Sequence, residues 1–284
     1  MTTDAGSTVP RRQLGRYLRK LREEARMTVK AAADALEWST PKIWRIETGA
    51  TSMRSLDVEA MCKIYRASPD LTEALMGLAK ETKGRGWWHS YGDAIPEWFE
   101  LYVGLEAAAA RLRTYEAQLV PGLLQTEAYA TRVLEVARPD MSHGEIERRV
   151  AVRRGRQALL TRASPRAPQF DVLLDEAVLQ RGVDGEQLER LIMVSRQPNV
   201  SLRVIPSAVG LHQGNMTSGT FTILDFEGGV EPSLVYSDSL TGALYLDKPG
   251  EVATYGEAWV AMEKLALTAV QSRKLIASIA EERI

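Results

Sequence analysis

Residues 28–49, TVKAAADALEWSTPKIWRIETG, constrain the fold more than any other stretch of the 284-residue chain. Thr28 is the kind of residue that caps a helix start. Alanine at 31, 32, 33 and 35 then gives a strongly helix-favouring run, thin enough for a neighbour to approach closely. Ser39 is a second N-cap, and Pro41 falls in the first turn after it, where a missing N–H costs nothing. Gly49 stands where a helix ends in a left-handed residue. The segment predicts two short helices joined by the three-residue turn Glu37, Trp38, Ser39. At ~100° per residue, Ile43 and Ile46 set the buried direction of the second helix. Pro41, Trp44, Arg45 and Thr48 then point farthest outward, with Lys42 and Glu47 flanking them.

The flanks are helical too. RRQLGRYLRKLREEAR (11–26) places Leu14, Leu18 and Leu21 at helical spacing with Tyr17 beside them, and residues 55–65 and 70–81 form two more short amphipathic runs. Five short helices in about 70 residues, with a tight turn between the second and third, follow the helix-turn-helix plan. The outward face of the third helix carries a cation, a large aromatic, a hydroxyl and the helix's first amides, which suits reading base edges in a major groove. Charge agrees: residues 1–66 hold 13 Lys/Arg against 8 Asp/Glu, while the rest of the chain holds 23 against 29. A basic head on an acidic body points to an anionic partner for the head alone.

With Thr28, Ala33, Leu36, Ser39, Ile43 and Arg45–Gly49 (RIETG) in fixed register, the head resembles the Xre/lambda-repressor-like family. The resemblance implies DNA binding through Ser39, Thr40, Pro41, Lys42, Trp44, Arg45 and Thr48. Thr28, Lys30 and Arg54, at helix starts or in a flanking loop, are candidate phosphate contacts. Three residues depart from the family pattern. Glu37 stands in place of the turn glycine, Val29 replaces a backbone-touching glutamine, and Trp44 occupies a position that is usually small. Trp44 is either a base reader or a packing residue against a neighbouring helix.

After a polar connector, ETKGRG (81–86), the segment WWHSYGDAIPEWFELY (87–102) concentrates six aromatics in 16 residues. Trp87, Trp88, Tyr91, Trp98 and Tyr102 are candidates for a ligand or partner surface, with core packing between domains as the plainer alternative. Residues 106–160 predict mostly helix, with a strand at 111–115, a helix starting near Pro121, and a capping box at Ser142–Glu145. The helix that follows the box carries Arg148, Arg149, Arg153, Arg154 and Arg156, which suits either a solvated face or a nucleic-acid contact. Past Pro168 come strand-like runs (FDVLL, VSLRVI, TFTILDF, SLVYS, ALYL), a helix at 184–196, and two closing helices at about 249–266 and 268–282. The fold expected is an all-α head of about five helices followed by a larger α+β domain with a mixed sheet of about five strands. The expected divisions are a disordered arm at 1–10, the head at 11–81 and the body at 82–284.

Several functions lack their signatures. GLHQGNMTSG (210–219) has no Gly-Lys-Ser/Thr ending and predicts a loop, with a ligand lid as the alternative. No G-x-S-x-G elbow occurs, and His89, His143 and His212 are scattered, so neither catalysis nor a metal or other cofactor is expected. The lone Cys62 excludes an intrachain disulfide. No apolar run reaches the ~20 residues of a membrane span, and the N-terminus lacks the apolar stretch of a signal peptide, so a cytoplasmic, nucleoid-associated protein is expected.

The body has its own resemblance. RGWWHSYGDAIPEWFELY, LVPGLLQT, VLLDEAVLQR, QPNVSLRVIP and LTGALYL look like the uncharacterised domain that follows an Xre head in WhiJ-type, antitoxin-like transcription regulators of high-GC bacteria. That resemblance implies a transcription regulator, often with a small partner protein encoded nearby, and brings no catalytic or ligand residues. The expectation is a homodimeric repressor on a two-fold double-stranded operator, its body sensing a small-molecule effector or holding the partner. The alternatives are an antitoxin-like protein that sequesters the partner, with DNA binding as autoregulation, and an enzyme fused to a DNA-binding head.

Overall fold

The computed structural model describes residues 8–83, 91, 97–216, 219–227, 231–239 and 242–283. The chain divides into two compact units, one of Asp4–Ser90 with Glu100–Ala108, the other principally Ala109–Ile284.

The first unit is all helical: α1 (Thr8–Glu24), α2 (Val29–Ala35), α3 (Thr40–Glu47), α4 (Ser55–Ile64) and α5 (Pro69–Glu81), joined by the Glu100–Ala108 portion of α6 (Glu97–Ala108). Helix α1 begins at Thr8, inside the stretch expected to be an arm. Thr8 is buried there, and a Cβ on Gly104 would lie 1.9 Å from its Oγ1, so this end of α1 lies directly against α6. The core gathers Leu14, Leu18, Ala32, Ala33, Ile43, Ile46, Val58, Met61, Cys62 and Leu75, one apolar stripe from each of α1–α5. In α6 the buried residues run consecutively from Tyr102 to Ala107, so the helix lacks the polar stripe that periodicity searches rely on.

The second unit is built on a six-stranded sheet: β1 (Arg111–Glu116), β2 (Gln169–Asp175), β3 (Val200–Ile205), β4 (Phe221–Asp225), β5 (Leu234–Ser239) and β6 (Gly242–Leu246), in the order β3-β2-β1-β4-β5-β6. Strands β1, β2 and β3 are parallel, and β4, β5 and β6 add antiparallel. The parallel steps require helical crossovers. These are α7 (Glu127–Ala137) and α8 (His143–Gln157) between β1 and β2, then α9 (Glu176–Gln180) and α10 (Gly185–Val194) between β2 and β3. Strands β2 and β3 are buried along most of their length, as the apolar runs FDVLL and VSLRVI require. Helices α12 (Pro249–Leu265) and α13 (Ala269–Glu281) close the chain. Trp259 and Met262 of α12 pack with Tyr115, Phe221, Ile223 and Val235 on one face of the sheet.

Two local expectations are corrected. No α-helix starts at Pro121. Gly122–Leu124 form a 3-10 turn and α7 begins after Thr126, whose hydroxyl accepts from the Tyr129 amide. Residues 210–219 are not all loop, since α11 (Gln213–Met216) forms one helical turn behind the buried His212. The capping box at Ser142 and Glu145 is present.

Candidate nucleic-acid interface

Each element of the helix-turn-helix is set by a local cap. The Thr28 hydroxyl accepts from the Ala31 amide (3.1 Å), and the Ser39 hydroxyl accepts from the Lys42 amide (3.3 Å). At the other end of α2 the Trp38 amide donates to the Ala33 carbonyl and the Glu37 amide to the Asp34 carbonyl, a Schellman closure with Glu37 in the left-handed region at φ +56°. Helix α3 closes in the same way through Ala50 and Gly49, the latter at φ +75°. Helices α1 and α4 close with Arg26 and Arg66 in that conformation. The turn therefore keeps its shape without glycine, and Glu37 carries the cost. Glu37→Gly should raise the stability of the head by about 1 kcal/mol in chemical denaturation and leave DNA binding unchanged. A destabilised variant would contradict that reading of the turn.

Helix α3 is held against α1 at close range. A Cβ on Gly15 would lie 2.5 Å from the Ile46 carbonyl oxygen, and one on Gly49 would lie 2.7 to 2.8 Å from atoms of Arg12. Alongside this contact the Arg22 guanidinium grips Glu47, with Nε to Oε1 at 2.6 Å and Nη2 to Oε2 at 2.8 Å, while Nη1 donates to the Met27 carbonyl at 2.8 Å. Both side chains are under 10% exposed. Glu47 is thus interior, which corrects its expected place beside the outward face.

The outward face of α3 contains Thr40, Pro41, Trp44 and Arg45, all exposed. Trp44 is 60% exposed, so it is not packed on a neighbouring helix. Thr48 is half-buried, its hydroxyl donating to the Trp44 carbonyl at 2.9 Å. Lys42 is also half-buried, its Nζ 3.3 Å from the centroid of the Trp38 ring, a cation–π contact that steadies it at the edge of the face. The flanking cations have acidic neighbours on the same helix: Lys30 with Asp34 at 2.8 Å and Arg54 with Asp57 at 3.1 Å, both cations exposed. Exposed pairs of this kind are worth little and release their cation readily. The structure therefore brings Thr40, Pro41, Trp44 and Arg45 onto one surface with Lys42 and Thr48 at its margin. Thr28 and Lys30 lie at the start of α2, and Arg54 lies at the start of α4.

The aromatic surface fares differently. Trp87 and Trp88 lie outside the described residues, as does the side chain of Trp98. Tyr91 is half-buried and Tyr102 is 7% exposed, so Tyr102 serves as interior packing. In α8, Arg148 and Arg154 are exposed, Arg149 and Arg153 are half-buried and Arg156 is buried, its guanidinium 5.0 Å from the Phe99 ring. Neither expectation for this helix covers the two inward arginines, since helical spacing alone does not show which cations turn toward the sheet. Among the described residues no cluster of three or more His, Cys, Asp or Glu side chains is placed to hold a metal ion, and no helix is long and apolar enough to cross a membrane.

Two family models match the chain. Residues 13–75 match the model of a helix-turn-helix domain, a sequence-specific DNA-binding module, and residues 99–278 match the domain of unknown function DUF5753. No curated protein and no solved structure matches the chain. With the larger match spanning most of its length and a helix-turn-helix head before it, the chain belongs to the DUF5753 family.

Proposed function

We propose that this protein is a transcriptional repressor that binds a two-fold operator as a homodimer through α3, and that its C-terminal unit adjusts binding in response to a small molecule or a small partner protein. The observation that carries the reading is the exposed surface of Thr40, Pro41, Trp44 and Arg45 on a helix that opens at an exposed N-cap, Ser39. Arg45 is the base reader, with a guanidinium suited to the guanine O6/N7 edge. Trp44 offers apolar surface to thymine methyl groups. Lys42, Thr48 and the amides at Ser39 and Thr40 fix register on the phosphates, as do Thr28, Lys30 and Arg54 from neighbouring helix starts. One such head reads only a few base pairs, so two heads on half-sites about one helical turn apart supply the needed specificity. The effector acts only if it binds the DNA-competent and incompetent states unequally.

The test begins with selection of the operator from genomic fragments, followed by titration of variants. Arg45→Ala should cost about 1–3 kcal/mol of operator binding and relax the base preference, whereas Lys30→Ala should weaken all sequences alike. Operator binding unchanged in an Arg45→Ala/Lys42→Ala double variant would remove α3 as the reading element.

A further inference from the structure

The sheet of the second unit has two edges, and the chain closes one of them. At β3 the connection between α12 and α13 runs along the outer side of the strand. The Val204 amide donates to the Ser272 hydroxyl at 2.9 Å, and the Leu267 amide donates to the Val204 carbonyl at 2.9 Å. Arg203 fastens the same connection, its guanidinium donating to the carbonyls of Glu263, Ala266 and Leu267 at 2.8 to 2.9 Å. At the other edge stands β6, last in the strand order and paired with β5. Among the described residues no strand pairs with its outer side. Natural sheets guard such an edge with charged residues, proline, a bulge or a covering element, because its free backbone groups are a template for another strand. Strand β6 reads GALYL, without a charge or a proline. It pairs one to one with β5 from Gly242 opposite Ser239 to Leu246 opposite Val235, so no bulge turns it aside.

The side chains of β6 alternate between the two faces of the sheet. Leu246 packs on the apolar cluster under α12, so Gly242 and Leu244 share that apolar face. Leu244 is 57% exposed, and a Cβ on Gly242 would meet nothing within 4 Å. Ala243 and Tyr245 belong to the other face, where the Tyr245 ring lies 5.3 Å from that of Tyr236. Farther in, that face is polar: the Thr114 and Thr222 hydroxyls meet at 3.0 Å, and the Thr220 hydroxyl donates to Glu116 Oε2 at 2.6 Å. The apolar face thus runs out to the rim of the sheet and ends in an exposed leucine beside open space.

We propose that β6 is the dimer interface: a second copy of this chain pairs its own β6 antiparallel to the first, about a two-fold axis at Leu244, and the two sheets become one. The register follows from the strand's own sequence. An axis at Leu244 sets Leu246 of each copy opposite Gly242 of the other, and Tyr245 opposite Ala243. Each bulky side chain then meets a small one, and the two Leu244 side chains close over the axis. All 5 residues of the strand are paired in this register. An axis at Ala243 or at Tyr245 pairs fewer of them, and the second sets Asp247 opposite Ala243. A pattern that complements itself when reversed fits a second copy better than an unrelated strand, and a two-fold contact is the commonest way for identical chains to associate. The proposal rests on the reading that the protein acts as a homodimer and names the surface it uses. So short a ladder falls below the ~800 Å² per partner of a standard interface. The free protein should therefore associate weakly, and a two-fold operator, by holding two copies together, should complete the pair.

The experiment is sedimentation equilibrium of the full chain over a concentration series, alone and with its selected operator. The natural chain should show a reversible monomer–dimer equilibrium. Leu244→Lys sets two like charges across the axis and should raise the dissociation constant by about tenfold or more, with Tm unchanged because the site is exposed. Leu244→Glu alone should do the same. An equimolar mixture of the two variants should recover the dimer, because the axis brings residue 244 against itself, whereas mixing does not repair a misfolded chain. Leu244→Cys should form a disulfide-linked dimer under mild oxidation, since directly opposed strand residues lie within disulfide reach. Val270→Cys on α13, 54% exposed, should not, and the natural Cys62 is buried. A dimer that persists in Leu244→Lys, or a Lys/Glu mixture that stays monomeric, overturns the proposal and leaves the homodimer reading to another surface. A natural chain that stays monomeric both free and on its operator removes the homodimer reading and this interface with it. A monomeric natural chain that carries a small protein, lost in Leu244→Lys, gives the edge to a partner's strand and overturns the proposal as well.

Discussion

Replacing Glu47 with alanine should cost the helical head about 3–5 kcal/mol, a large part of what a unit of this size possesses. The variant leaves the Arg22 guanidinium in a place where it is 9% exposed and where Glu47 met it with two hydrogen bonds. The Met27 carbonyl remains to it, with the exposed Glu23 carboxylate 3.9 Å from Nη2, and a neutral acceptor and a long, solvated pair do not replace a buried two-point carboxylate. The loss should appear in hydrogen exchange as early opening of α1 to α4, and in the operator assay as inactive protein at modest temperature. A paired replacement, Arg22→Met with Glu47→Leu, removes both charges and should recover most of the stability, since apolar residues of similar volume often serve as well as a buried ion pair. A loss below about 1 kcal/mol in Glu47→Ala would mean that water reaches Arg22 and that the pair is not the clamp described here.

That pair also marks where sequence reading ends. The caps at Thr28, Ser39, Ser142 and Thr268 are local, each hydroxyl reaching an amide three residues on, and such signals are visible in a linear string. The outward positions Pro41, Trp44 and Arg45 follow from two isoleucines and a fixed angular step, and all three are exposed. The same step places Glu47 near the surface. Its burial depends on α1, and nothing in the string ties residue 22 to residue 47. Pro121 and Thr126 are both good helix starts. Thr126 prevails because Gln125 is engaged as a loop residue, donating to the Val120 carbonyl, while the Thr126 amide is taken by Gln187 from 61 residues away.

The body shows the same division between local and long-range signal. Its strands are legible as runs of β-favouring residues, including RLRTY, which becomes β1, the third strand from the parallel edge and the one at which the parallel and antiparallel halves meet. Their order is not legible, because pairing Glu116 with Thr220 and Asp238 joins segments more than 100 residues apart. An arginine-rich helix looks solvated until the sheet beneath it is known to be polar. Only then do Arg153 and Arg156 separate from Arg148 and Arg154.

The second large effect is expected from the smallest change, Gly15→Ala. In a helix interior this substitution ordinarily stabilises by about 0.5–1 kcal/mol, because alanine loses less chain entropy on folding. In α1 it should instead cost about 1–3 kcal/mol. The new methyl would meet the Ile46 and Glu47 carbonyl oxygens at 2.5 and 2.7 Å. These are backbone atoms, so no change of rotamer relieves the clash and α1 must move away from α3. The shift strains the Arg22–Glu47 clamp beside it and changes the angle at which Arg45 is presented, so operator affinity should fall in protein that is still folded. Gly77→Ala in α5 is the matched control, since a Cβ there meets nothing within 4 Å. It should gain stability and leave DNA binding alone. If Gly15→Ala behaves as Gly77→Ala does, the close crossing of α1 on α3 does not set the aim of the reading helix.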